Sequence, residues 1–374
     1  MLKTFLSTAA IALALATPSL AELRVGAVAE LSGAGAAAGT NWQDGLKMAF
    51  AEINAAGGIL GEKVEMLEYD SQTDPQTSRA MVQKAIDDEV YALMGTVYSG
   101  STIVNMLVAQ QAGIPQFTGS EAPKITALGN PYIFRTTFGA QKGIPKVANY
   151  LQNEMKVKKV GVAWANTEFG KGGHEAFVKE MKDRGIEIVV DVPSEQAQSD
   201  FAADVLKLKG SNADAIFVYY TEEESARFLR EAKKQGLTIP LIGETTLVGH
   251  KVIELAGDAA DGAMGHVGLT PDADIPAIKE MVEKFKAKYN YTPDHNAIKG
   301  YTGAYALKYV TEMVGKPDSE AIAEKLHGLT LKASEYPGML MDITWDDTGE
   351  VSRESFLVKV DHGAQKVIAV LPPN

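Results

Sequence analysis

The segment Gly95-Thr96-Val97-Tyr98-Ser99-Gly100-Ser101-Thr102 sets three hydroxyls, on Ser99, Ser101 and Thr102, where an expected strand (91–94) gives way to an expected helix (101–112). At the carboxyl edge of a parallel sheet such residues sit beside unbonded N–H groups and the positive end of a helix dipole. A carboxylate held there receives several charge-assisted hydrogen bonds. The plainer alternative is that Ser99 or Ser101 caps its own helix. The loop Thr118-Gly119-Ser120-Glu121 follows the next expected strand on the same edge and can bring Ser120 and Glu121 to the same cleft.

Acids recur at equivalent edges. Glu222, Glu223 and Glu224 open a later helix, and Glu244 with Thr245 and Thr246 follows the strand 240–242. Acidic residues in a first turn ordinarily serve the helix dipole. Glu121, Glu222 and Glu244 differ in lying at a strand's carboxyl edge, where a ligand ammonium could be paired. Trp42, Tyr98 and Phe169 occupy edge positions too, and either wall an apolar pocket or fill the core.

Other chemistry is weakly represented. The loop 33–39 reads Gly-x-Gly-x-x-x-Gly after a strand and before a helix, but its distance from the strand end is long for a pyrophosphate turn. His174, His250, His266, His295, His327 and His362 show no metal-ligand spacing, and neither a Gly-x-Ser-x-Gly elbow nor a phosphate-binding Gly-x-x-x-x-Gly-Lys loop occurs. With no cysteine, disulfides, Cys-ligated zinc, iron–sulfur clusters and thiol catalysis are excluded. No cofactor is expected.

The elements that must position these residues alternate. Strands at 23–29, 64–69, 91–94 and 114–117 are interleaved with helices at 42–56, 75–88 and 101–112. A second series follows: helices at 144–154, 172–184, 200–209 and 223–235, with strands at 159–164, 186–192, 215–219 and 240–242. Strands separated by helices of this length imply parallel sheets with crossover helices, hence two α/β lobes in succession. The last third offers strands at 263–267, 339–344 and 355–360 with helices at 275–289, 297–313 and 319–326, and must join one or both lobes.

Length and composition agree. The chain has 374 residues, 45% of them hydrophobic, a size comfortable for two domains. Its formal net charge of -12 opposes binding to nucleic acid and to anionic lipid surfaces. Lys3, an apolar run over 5–16 and the ending Ser19-Leu20-Ala21 read as an export signal cleaved after Ala21, which puts the mature protein outside the cytoplasm, most simply in a periplasm.

The run Phe50-Ala51-Glu52-Ile53-Asn54-Ala55-Ala56-Gly57-Gly58-Ile59-Leu60-Gly61, with Tyr69-Asp70, Asp74-Pro75, Gly95 and Ser99-Gly100-Ser101-Thr102, resembles type I periplasmic binding proteins of the leucine/isoleucine/valine-binding family. Phe134-Arg135-Thr136, Phe169-Gly170-Lys171-Gly172, Asp200-Phe201, Gln235-Gly236-Leu237, the stretch 256–262 and Trp345-Asp346-Asp347-Thr348-Gly349 continue the match in order. The resemblance implies two doubly wound parallel-sheet lobes joined by a three-crossing hinge, lobe 1 being 22–137 plus 266–344 and lobe 2 being 138–265 plus 345–374. It implies a monomeric substrate-binding component of an ABC importer, not an enzyme. Such a protein holds an amino acid or related small carboxylate between its lobes and delivers it to a membrane permease. Ser99 and Ser120 would meet the carboxylate and Phe169 the far wall; the family's ammonium-pairing Glu aligns near Glu244 or Thr245. Ala38 stands where an aromatic is expected, with Trp42 nearby, and Glu121 stands near a hydroxyl position. The ligand stays open among aromatic acids, short amides and polar amino acids, and sensing for a membrane receptor is the alternative to import.

Overall fold

The computed structural model describes residues 22–373, so the expected export signal and its cleavage site lie outside the described residues. The chain begins with β1 (Leu23–Ala29), α1 (Ala36–Ala55), β2 (Val64–Asp70), α2 (Pro75–Asp87), β3 (Ala92–Met94), α3 (Ser99–Ala112), β4 (Gln116–Thr118), α4 (Lys124–Ala127) and β5 (Ile133–Arg135). It continues with α5 (Ala140–Asn153), β6 (Lys159–Ala165), α6 (Glu168–Arg184), β7 (Glu187–Ser194), α7 (Ala202–Lys209), β8 (Ala215–Tyr219), α8 (Glu222–Lys234), β9 (Leu241–Glu244), α9 (Thr245–Val248), α10 (His250–Ala256) and β10 (Met264–Val267). The last third holds α11 (Pro276–Tyr289), α12 (His295–Val314), α13 (Ser319–Leu326), β11 (Thr330–Leu331), β12 (Ile343–Trp345), β13 (Val351–Ser352), β14 (Ser355–Asp361) and β15 (Ala364–Leu371).

One sheet has the order β2-β1-β3-β4-β5, and all its neighbouring pairs are parallel. A second has the order β15-β14-β10-β9-β8-β6-β7, parallel from β7 to β10 and closed by the antiparallel β14 and β15. Each order reverses once, between β1 and β3 in the first sheet and between β6 and β8 in the second. In open α/β sheets, connections leave in opposite directions at such a point and a crevice opens beyond the strand ends. β11, β12 and β13 form a small antiparallel sheet. The long helix α12 packs on α1 and thus belongs with the first sheet.

Several helices start earlier than their sequence suggests, α1 and α3 among them. α1 runs from Ala36, because Ala36, Ala37 and Ala38 are the best helix formers available. Gly39 therefore lies inside the helix, where a Cβ would stand 2.1 Å from the Glu30 carbonyl oxygen. That glycine lets α1 seat against the end of β1, and the glycine pattern of this loop serves packing. α3 begins at Ser99, with Tyr98 as its N-cap residue and no side-chain cap. The hairpin of β14 and β15 turns through His362 and Gly363, both at positive φ, and β15, a strand the sequence reading did not assign, exposes Val367, Ile368 and Val370.

Where the chain leaves the first sheet, the backbone is gripped by a buried ion pair. The Arg135 guanidinium donates to Glu350 at 2.9 Å, with side-chain exposures of 0% and 2%. It also donates to the Ala122 carbonyl at 2.6 Å and to that of Ser120. Glu350 accepts further hydrogen bonds from the Gly139 amide at 2.9 Å, the Gln141 side chain and the Thr126 hydroxyl. Trp345, fully buried, donates its indole N–H to the Arg135 carbonyl at 2.7 Å. The crossing segments are thus tied to one another by a fully partnered charge pair.

Candidate functional site

The two switch points face each other across a cleft of about 890 Å³, its open mouth included. The first sheet supplies Val97, Tyr98, Ser99, Gly100, Ser101, Gly119 and Glu121; the second supplies Thr167, Phe169, Gln196, Thr221, Glu222 and Thr246; the start of α12 adds His295, Asn296 and Lys299. The halves meet along its rim. Lys124 lies 3.6 Å from Glu168, and a Cβ on Gly172 would stand 2.7 Å from the Pro123 ring.

At the first switch point the loop before α3 is shaped by Glu30, which follows β1. Its buried carboxylate accepts from the Val97 and Tyr98 amides at 3.2 and 3.1 Å. Burial raises its pKa to about 7 against the lowering effect of those amides. The next N–H groups, of Ser99, Gly100 and Ser101, occupy the first turn of α3 and have no intrahelical acceptor. The Ser99 hydroxyl accepts from the Glu121 and Ala122 amides at 3.3 and 3.1 Å, which holds it at the cleft and leaves its own O–H to donate. It caps another loop, not its own helix. Amides, hydroxyl and dipole converge on one spot, as an anion site requires.

The three edge acids fall into different environments. Glu121 is 2.8 Å from Lys299 Nζ, which also reaches the Gly119 carbonyl at 3.4 Å. Glu244 is paired with His266 at 2.7 Å, buried beside Gly143 and away from the main cleft; burial outweighs the histidine and raises its pKa. Among the described residues no lysine or arginine lies within bonding reach of Glu222. Its Oε1 is 3.4 Å from Asn296 Nδ2 and 3.6 Å from His295 Nε2. Burial, with Glu223 and Asp294 adding repulsion, raises the Glu222 pKa to about 8. Burial also holds His295 well below its usual value, so that imidazole is neutral. Glu224 is used locally, accepting from the Thr221 amide and hydroxyl at 3.1 and 2.8 Å.

Of the residues singled out in the sequence, Tyr98, Ser99, Ser101, Glu121, Phe169 and Glu222 come together in this cleft. Phe169 stacks on Tyr219 with ring centroids 4.2 Å apart and forms an aromatic wall. Trp42 lies instead in the core at 0% exposure, beneath Gly119, because α1 starts early and turns that face inward. Ser120 is buried too. Its hydroxyl donates among the carbonyls of Val97 and Thr96 at 2.8 and 3.1 Å and meets Thr102 at 2.6 Å, so it braces the loop and does not face the cleft. Glu244 and Thr245 line a small separate space near His266.

Sequence reasoning gave no ligand role to Glu30, Thr246, His295, Asn296 or Lys299. Glu30 carries an edge signal like that of Glu121: it lies one position past β1, and Glu121 three past β4. His295 and Asn296 stand just inside a helix capped by Asp294, which accepts from the Asn296 and Ala297 amides at 2.7 and 3.3 Å. Asp294 was the readable start signal; the return of that helix to the cleft was not. Among the described residues no group of three or more His, Cys, Asp or Glu could hold a metal ion, and no helix is long and apolar enough to cross a membrane.

A family model described as periplasmic binding protein matches residues 22–365. The Leu/Ile/Val-binding protein of Escherichia coli (strain K12) is 29% identical over 350 residues, covering 92% of this chain and 93% of its own. Among solved structures, the branched-chain amino acid transporter substrate binding protein of Streptococcus pneumoniae, in complex with isoleucine, superposes with a TM-score of 0.85 at 24% identity, covering 94% of this chain and 99% of its own. An ABC transporter solute binding protein from R. palustris, in complex with benzoate, gives a TM-score of 0.86 at 21% identity, with 95% and 98% covered.

Proposed function

This chain belongs to the periplasmic binding protein family, and from that premise we propose that it is the extracytoplasmic substrate-binding component of an ABC importer, taking an amino acid or related small carboxylate into its interlobe cleft. The members it is similar to are named for binding, not for catalysis. Its partners in this reading are the ligand and a membrane permease; the protein acts as a monomer in the periplasm after loss of residues 1–21. The lobes are residues 22–137 with 266–344, and 138–265 with 345–374. Closing them around a ligand brings contacts from both sides that neither half offers alone.

The observation that carries the proposal is the pairing of opposite poles across one cleft. The ligand carboxylate is received by Ser99, Ser101 and the first-turn amides of α3. Its ammonium is received by Glu222, since the other two edge acids already have internal partners, Lys299 for Glu121 and His266 for Glu244. Tyr98 and Phe169 flank the side chain. A thermal-shift screen over amino acids and aromatic carboxylates tests the class: a tight ligand raises the melting temperature by mass action. A screen in which no small carboxylate moves it contradicts the proposal.

A further inference from the structure

Three residues lining the cleft each carry a buried polar atom without a partner: Thr246 Oγ1, His295 Nδ1 and Asn296 Oδ1. Their exposures are 7%, 3% and 0%. They arrive from opposite sides, Thr246 on α9 beyond β9 of the second sheet and the other two in the first turn of α12. All other polar capacity of Asn296 is engaged, its amide nitrogen lying 3.4 Å from both Glu222 and Asp294.

A buried polar atom left unmatched carries its whole desolvation cost, whereas the same atom given a partner does not. An aliphatic side chain closed against these groups would exclude water and match none of them. Their needs are complementary: the Asn296 oxygen requires a donor, the Thr246 hydroxyl gives or takes, and the neutral His295 ring offers the one or the other according to its tautomer. We infer that the ligand is an amino acid whose side chain ends in a carboxamide, a group that donates and accepts at once. This rests on the proposed function above and names the substrate within it. It separates this chain from the relatives named for leucine, isoleucine and valine.

Calorimetry with L-asparagine, L-glutamine and L-leucine tests the inference, asparagine and leucine having side chains of nearly the same shape. At least one carboxamide should bind about tenfold or more tighter than leucine, since sites built for a hydrogen-bonding group reject the analogue lacking it. Thr246→Val, which removes a hydroxyl at constant shape, should narrow that ratio several-fold. Leucine binding as tightly as both carboxamides, or a ratio that Thr246→Val does not move, overturns the inference while the proposed function stands. Failure of every amino acid and small carboxylate to bind overturns both.

Discussion

Glu350 at the hinge and Glu222 in the cleft are buried alike, at 2% and 6% exposure, yet their surroundings differ in kind. Glu350 has an arginine, an amide, a carboxamide and a hydroxyl bonded to it. Glu222 has two neutral side chains at the long limit of contact and a pKa pushed up to about 8. The first acid is complete within the protein and belongs to structure. In the proposed function the second is completed by the ligand ammonium, and so belongs to binding.

The contrast is broken or sharpened first by substitution. Arg135→Ala leaves Glu350 buried without its counter-charge and should cost about 3–5 kcal/mol of stability, read by urea unfolding. Glu222→Gln should change ligand-free stability by less than about 1 kcal/mol, because the protonated acid it mimics already predominates at neutral pH. Equal losses in the two variants would erase the distinction. In calorimetry, Glu222→Gln and Ser99→Ala should each cost about 1.5–3 kcal/mol of amino-acid affinity, the worth of a hydrogen bond to a charged group.

A pH series makes the same point more gently. Glu222, Glu30 and Asp294 are raised by burial to about 8, 7 and 6. For an acid whose folded pKa exceeds its unfolded one, the folded state binds the extra proton, so stability is full below the unfolded pKa and is lost as pH rises through the folded value. Ligand-free melting temperature should therefore fall between about pH 5 and 8. Amino-acid affinity should rise over the same interval, with proton release seen as a buffer-dependent binding enthalpy. A melting temperature that climbs through this window would show that these acids are ionised in the folded chain.

The cleft position of Ser99 and Ser101 was legible because its signal is local: closely spaced hydroxyls between a strand and a helix. Parallel sheets were legible for the same reason, from alternation. What escaped the sequence depends on partners far along the chain. Nothing near Glu121, Glu222 or Glu244 tells which has an internal partner, since Lys299 and His266 come from elsewhere. Ser120 and Trp42 were placed at the correct edge but the wrong face, because a loop's twist and an early helix start decide orientation.

Smaller effects follow from those placements. Gly172→Val should weaken binding by several-fold without destabilising the fold, since its side chain would press on Pro123 across the rim while improving helix propensity within α6. Ser120→Ala should cost about 1 kcal/mol of stability through its lost internal hydrogen bonds and change affinity by less than about twofold.

A crystal structure with the amino acid that gives the largest melting shift examines the two poles together. The carboxylate should lie within about 3 Å of the Ser99 hydroxyl and the first-turn amides of α3, and the ammonium within about 3 Å of Glu222. A ligand bound outside the cleft, or inside it with its ammonium turned toward α3, would contradict the account.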